Sequence, residues 1–127
     1  MVPKPVFKED PPADKRMTRA ELKAEVDLYV DFLEGASGSK VHFDPKCVRF
    51  ENGQQTATAG AVGSQSWSFD VTRRYLVFDE QQGIVWGMFP FSQSASALVV
   101  GEAFKVVDHK IMMIQAVMAN MPAKTWM

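Results

Sequence analysis

The sequence predicts an α+β fold in which N-terminal helices pack on one face of a strongly curved antiparallel sheet. Three observations carry that expectation: a capped amphipathic stretch near the N-terminus, apolar alternating runs from Trp67 onward, and polar turn signals that join those runs in pairs. The expected order is helix, short helical turn, strand, loop, then four strands in two hairpins. With 127 residues, the chain suffices for one domain with one core.

Residues 1–17 hold four prolines among charges, with no period, and read as a flexible arm that Val6 and Phe7 would pin to the body or to a second subunit. Residues 18–127 form the single domain. Thr18-Arg19-Ala20-Glu21 is a capping box. Behind it Leu22, Val26, Tyr29, Val30 and Leu33 make one apolar stripe, with Lys23, Glu25, Asp27, Asp31 and Glu34 facing out and Gly35 as the stop. Residues 35–46 are irregular, with a helical turn expected at Asp44-Pro45-Lys46. Cys47 to Glu51 is a short strand ending at the turn dipeptide Asn52-Gly53. Residues 53–66 are small and polar, either a pocket rim or a tolerated surface loop. Trp67 to Phe78 and Ile84 to Phe89 are strands of a hairpin turning at 79–83. A serine-rich connection, 90–97, leads to the last hairpin, whose long strands flank Asp108-His109-Lys110. The chain leaves the sheet at Pro122, which has no N–H to donate.

Composition excludes several classes. Net charge is −1, which suggests neither a nucleic-acid surface nor a polybasic membrane surface. Cys47 is the only cysteine, so there is no intrachain disulfide and no cysteine metal cluster. No apolar run would span a bilayer and no signal-peptide segment opens the chain, so a cytoplasmic location is expected. Eight methionines serve either as plain core or as an adaptable pocket wall.

Helix, turn, "CVRFENG", the pair "RRYLVFDEQQGIV" and the final "GEAFKVVDHKIMMIQAV" together resemble the nuclear-transport-factor-2-like, or SnoaL-like, superfamily over about residues 18–120. Within it the chain is similar to small bacterial and fungal isomerase-, cyclase- and lyase-like members. Asp108-His109-Lys110 departs from the commoner Asp-Gly-Lys. The resemblance implies a cone-shaped, cystatin-like α+β fold around a deep apolar pocket and a homodimer paired through the convex sheet face. The superfamily hosts both enzymes and binding modules, so fold alone does not settle function.

Candidate site residues follow. Ketosteroid isomerases of the superfamily place a general-base carboxylate at the end of the first strand, where this chain has Glu51. Glu51 is either that base or a solvated strand end paired with Arg49 or Arg73. Glu102 shares a strand face with Leu98, Val100, Phe104 and Val106, where a carboxylate is costly unless paired, protonated or solvated. If that face lines the cone, Glu102 is an acid of raised pKa or a buried partner for an arginine; if it points outward to a dimer partner or water, Glu102 is structural. His42, at the expected cone mouth, is a proton shuttle or an incidental loop histidine, and His109 in the turn is inert. Tyr75 would hydrogen-bond a developing oxyanion or be a core ring with its hydroxyl at the rim. Arg73, Asn52, Trp86 and Met88 complete the expected substrate contacts. No metal-ligand spacing, no cofactor motif and no nucleophile elbow is present. The Asp-Arg-Asp set of epoxide hydrolases in the superfamily is not recognisable.

Two classes of function result. The favoured one is a cofactor-independent enzyme using carboxylate and histidine acid–base chemistry on a small apolar, aromatic or polycyclic substrate. It would act as isomerase, cyclase, dehydratase or C–C lyase; the resemblance adds formaldehyde-releasing lyases on lignin-derived diaryl compounds. The alternative is a non-catalytic binding or assembly module. Polar groups converging on the pocket would favour the enzyme, and a dry apolar cone the binder.

Overall fold

The computed structural model describes residues 4–92 and 96–122. Among them are one α-helix, α1 (Arg19–Leu33), and seven strands: β1 (Phe43–Glu51), β2 (Gln54–Ala57), β3 (Asp70–Val71), β4 (Arg74–Asp79), β5 (Ile84–Ser92), β6 (Ser96–Val107) and β7 (Lys110–Pro122). The strands form one open, strongly curved sheet in the order β2-β1-β7-β6-β5-β3, with β4 also on β5. The fold is α+β, with one helix where several were expected. Register shifts at Arg49/Phe50, Tyr75/Val77 and Lys105/Val106 supply bulges, which bend a sheet and increase its twist.

The capping box of α1 is formed. Thr18 Oγ1 accepts from the Glu21 amide at 3.2 Å, and Glu21 Oε1 accepts from the Thr18 amide at 3.0 Å. The stripe Leu22, Val26, Tyr29, Val30 and Leu33 is buried, joined by Phe32. It meets Val85, Phe89, Val100, Phe104 and Ile114 on the concave face of the sheet. Tyr29 and Phe89 each approach Phe104 edge-on, with centroids 5.3 and 6.1 Å apart. Glu25, expected on the outer face, is buried instead, because His42 Nδ1 meets its carboxylate at 2.8 Å and His109 Nδ1 lies 3.5 Å from its other oxygen.

The last hairpin pairs from Ser96↔Pro122 to Val107↔Lys110. Its turn has two residues, Asp108 and His109, with φ of 50° and 59°, the left-handed pair that suits a twisted hairpin. The serine-rich connection is shorter than expected, since β5 runs to Ser92 and β6 starts at Ser96; residues 93–95 and the expected tail beyond Pro122 lie outside the described residues.

Four details differ from the sequence reading. First, the sheet is mixed, because β7 inserts between β6 and β1 and runs parallel to β1. Second, Asp44-Pro45-Lys46 lies within β1, and the short helical turn sits earlier, at Gly38–Lys40. Ile111 donates to the His42 carbonyl at 2.8 Å, so the chain is already extended there, and the register shift between Phe43 and Val48 accommodates the proline without an N–H. Third, residues 54–57 form an edge strand where a loop was expected. Fourth, Trp67 to Phe78 is not one strand: Phe69 donates to the Leu33 carbonyl at the end of α1, and pairing with β5 starts at Asp70.

Residues 4–17, expected as an arm, carry two single 3-10 turns at Pro5–Lys8 and Ala13–Lys15. Phe7 and Met17 are buried. The Lys4 amide donates to Gln115 Oε1 at 2.9 Å, and the buried Lys105 ammonium donates to the carbonyls of Glu9 and Gln82.

Candidate functional site

A cavity of about 340 Å³ opens between the C-terminal half of α1, the concave sheet face and the 56–69 segment. Its walls are Phe32, Leu33, Val62, Trp67, Phe69, Phe91, Leu98 and Met118, and its polar groups include Tyr29, Arg49 and Glu51. Trp67 stacks on Phe69 with centroids 5.2 Å apart, and Phe69 leans on Phe91 at 5.0 Å. Residues 53–66 are therefore a rim. They are seated where Gly63 crosses Gly38: a Cβ on Gly38 would stand 2.0 Å from the Gly63 carbonyl oxygen, so only glycine fits.

The polar groups are placed by register. Glu51 pairs with Ala116 on one side of β7, and Glu102 pairs with Ala116 on the other. The two carboxylates thus flank a single methyl, with their backbones two strand spacings, about 10 Å, apart. Arg49, two residues before Glu51 on the same face, bridges them. Its Nε donates to Glu51 Oε1 at 2.9 Å, and its Nη1 donates to Glu102 Oε1 and to the Tyr29 hydroxyl, the latter at 2.6 Å.

Exposure separates the members. The Glu102 side chain is 0% exposed, Arg49 13% and Glu51 32%. Glu102 does not line the cavity, and its Oε2 has no hydrogen-bond partner among the described residues. Burial opposes the charge on Arg49, but Glu102, Tyr29 and Glu51 outweigh it and hold the guanidinium pKa above its ordinary value. Burial, helped by Glu102, pushes the Tyr29 phenol up, so it keeps its proton at neutral pH. Besides the sealed Oε2 of Glu102, three valences on the cavity-lining members have no protein partner among the described residues: Nη2 of Arg49, Oε2 of Glu51 and the hydroxyl proton of Tyr29.

The other residues singled out in the sequence lie elsewhere. His42 is half-exposed on Glu25 and does not line the cavity. Asn52 clips the β1–β2 turn to β7, its amide exchanging two hydrogen bonds with the Met118 backbone. Arg73 and Tyr75 reach the outer side of α1: Arg73 pairs with Asp27, Asp31 and Glu34, and the Tyr75 hydroxyl donates to Asp27. Trp86 and Met88 flank Gly101 on the opposite, convex face. Cys47 is buried, its thiol pushed up to about 12 by burial and by Asp44, so it is not a nucleophile at neutral pH. No group of metal-ligating side chains occurs among the described residues. Sequence reasoning missed Tyr29 as a site residue and had Arg49 only as a possible partner of Glu51, a pairing that is present here. Tyr29 is the one helix-stripe residue with a polar end, and Arg49 shares the face of Glu51; those are the signals that point to them.

Helix, curved sheet and an apolar cavity with polar groups on its wall define a class of small α+β domain. The fold is similar to the crystal structure of a de novo designed protein with a curved β-sheet, at TM-score 0.64 and 14% identity, covering 81% of this chain and 88% of that one. It is likewise similar to a putative ketosteroid isomerase from Kribbella flavida DSM 17836, at TM-score 0.65 and 13% identity, covering 79% and 78%. At such identities the likeness is one of fold. No curated protein matches the chain. The chain belongs to the family described as domain of unknown function DUF8021, whose model matches residues 15–118. No helix among the described residues is long and apolar enough to cross a membrane.

Proposed function

We propose that this chain is a cofactor-free enzyme of the nuclear-transport-factor-2-like superfamily that moves a proton on a small apolar substrate, as an isomerase or lyase. One observation carries the reading: the free oxygen of Glu51, the hydroxyl proton of Tyr29 and the free edge of Arg49 all belong to walls of one apolar cavity. Glu51 is the base, because Glu102 is sealed behind Arg49. Glu51 Oε2 takes a proton from the carbon beside a carbonyl, and the electron pair moves onto the carbonyl oxygen. Tyr29 O–H and Arg49 Nη2 donate to that oxygen, and the Glu51 proton then returns to carbon or leaves with a departing group. A second copy of the chain would cover the convex face, where Val77 and Val117 are exposed, giving a homodimer; a monomeric mass at micromolar concentration would count against it.

The test needs no natural substrate. Tetralone in deuterium oxide should gain deuterium beside its carbonyl with the wild type, read by NMR. Glu51→Gln should slow that exchange by about a hundred- to ten-thousand-fold. Tyr29→Phe should slow it less and leave binding largely intact. Equal exchange by wild type and Glu51→Gln would leave the non-catalytic binding reading in its place.

A further inference from the structure

We propose that Glu102, which is buried behind Arg49 and does not line the cavity, makes the cavity selective for uncharged ring compounds bearing one acceptor oxygen and turns anions away. The inference rests on the cavity being the ligand site and goes beyond the proton transfer.

A lone arginine on the floor of an apolar cavity is ordinarily an anion receptor, since its planar fork matches a carboxylate or phosphate through two parallel hydrogen bonds. Among the described residues, Arg49 and Glu51 are the charged ones that line this cavity. The fork of Arg49 is already taken, because Nε is on Glu51 and Nη1 is on Tyr29 and Glu102. Only the Nη2 edge remains. Two carboxylates on one guanidinium sum to a formal charge of −1, and one of them is 0% exposed, out of reach of water that would screen it. An incoming carboxylate therefore meets an excess of negative charge and no free fork. A carbonyl oxygen meets the Nη2 protons and the Tyr29 hydroxyl without that repulsion. Phe32, Trp67, Phe69 and Phe91 supply flat apolar walls, and a cavity of about 340 Å³ is at the small end of ligand pockets. The chemical class that fits is a neutral bicyclic or similarly compact aromatic ketone or phenol.

The experiment uses two probes of one shape, methyl naphthyl ketone and naphthoate, on the full chain at neutral pH. Binding is read by calorimetry and by quenching of tryptophan fluorescence. The ketone should bind more tightly than naphthoate by about tenfold or more. Glu102→Gln keeps the side-chain shape and removes one charge, so naphthoate should gain about tenfold while the ketone changes by less than about threefold. Glu51→Gln removes the other carboxylate charge and supplies the same readout should Glu102→Gln fail to fold: naphthoate should gain there too. Wild-type protein that binds naphthoate as tightly as the ketone would overturn the proposal, as would a gain for naphthoate in Glu51→Gln but none in a folded Glu102→Gln. Either result leaves Glu51 as base standing, since deuterium exchange reads that separately. Binding of neither probe would overturn both the selectivity and the cavity as a ligand site.

Discussion

The molecule builds the same cluster twice. Inside, Arg49 holds Glu51, Glu102 and the Tyr29 hydroxyl. Outside, Arg73 holds Asp27, Asp31 and Glu34, and Asp27 accepts from the Tyr75 hydroxyl. Each has one guanidinium, several carboxylates and one phenol. In each, burial raises the phenol pKa first and a carboxylate raises it further, Glu102 for Tyr29 and Asp27 for Tyr75. The clusters differ in what surrounds them. The inner one spans three adjacent strands under an apolar cavity, while the outer one ties the β3–β4 edge to the solvent face of α1. Composition alone does not make a site; burial, together with donors and acceptors that the protein leaves open, does.

That contrast fails first, and by the largest margin, at the arginines. Arg49→Met leaves Glu102 wholly buried without its cation, which costs roughly 3–5 kcal/mol. Arg73→Met breaks pairs whose carboxylates reach water, and exposed pairs are worth about 1 kcal/mol or less. Urea denaturation of the two variants measures the difference directly. Similar losses would mean that the inner pair is no more buried in solution than the outer one.

Lys105 sharpens the comparison from a third position. It is as buried as Glu102, yet its partners are the carbonyls of Glu9 and Gln82 rather than carboxylates. Burial therefore lowers its pKa below the ordinary 10.5. Between the folded value and 10.5 the unfolded chain holds more protons, so stability should rise with pH across that window. Lys105→Met should abolish the rise. Glu9 belongs to the N-terminal segment, so removing residues 1–16 strips a partner from Lys105 and takes away buried Phe7. Loss of the Phe7 ring alone should cost about 1.5–3 kcal/mol, read from Phe7→Ala by thermal or urea unfolding. The capped helix and the sheet should survive.

Much of the fold is legible in the sequence because it is local. The Thr18–Glu21 box and the Leu22-to-Leu33 stripe specify α1, and period-2 runs around Asp108-His109 specify the last hairpin. The site is only half legible. Glu51 and Glu102 stand out as carboxylates on apolar strands, but their meeting depends on both pairing with Ala116, which requires β7 to insert beside β1 in parallel. No turn between β1 and β7 encodes that register. Tyr75 and Arg73 drew attention for their side chains, and they form the outer copy of the cluster. Tyr29 is hidden inside a helical stripe that reads as plain core. Glu25 reads as solvent-facing by helical period, and only the tertiary placement of His42 and His109 buries it.

The smallest expected effect lies in the outer cluster, at low pH. Burial works against the charge on Asp27, but hydrogen bonds from Lys23, Tyr75 and Arg73 outweigh it and hold the carboxyl below its ordinary 3.8. A group with a depressed folded pKa contributes stability above its unfolded value, and that contribution is lost as pH falls through the folded value. Wild type should therefore exceed Asp27→Asn by a constant margin of about 1 kcal/mol or less at neutral pH. The margin should begin to shrink near pH 3.8 and vanish below the folded value. Because Asp31 and Lys23 are exposed to solvent, added salt should shrink it as well. The corresponding difference for Glu102→Gln should hardly respond to salt, since that side chain is sealed from solvent. Urea titrations of both variants at low and high ionic strength decide the matter. A salt-independent margin for Asp27, or one that persists in acid, would place the outer cluster in the same electrostatic regime as the inner one and remove the distinction between them.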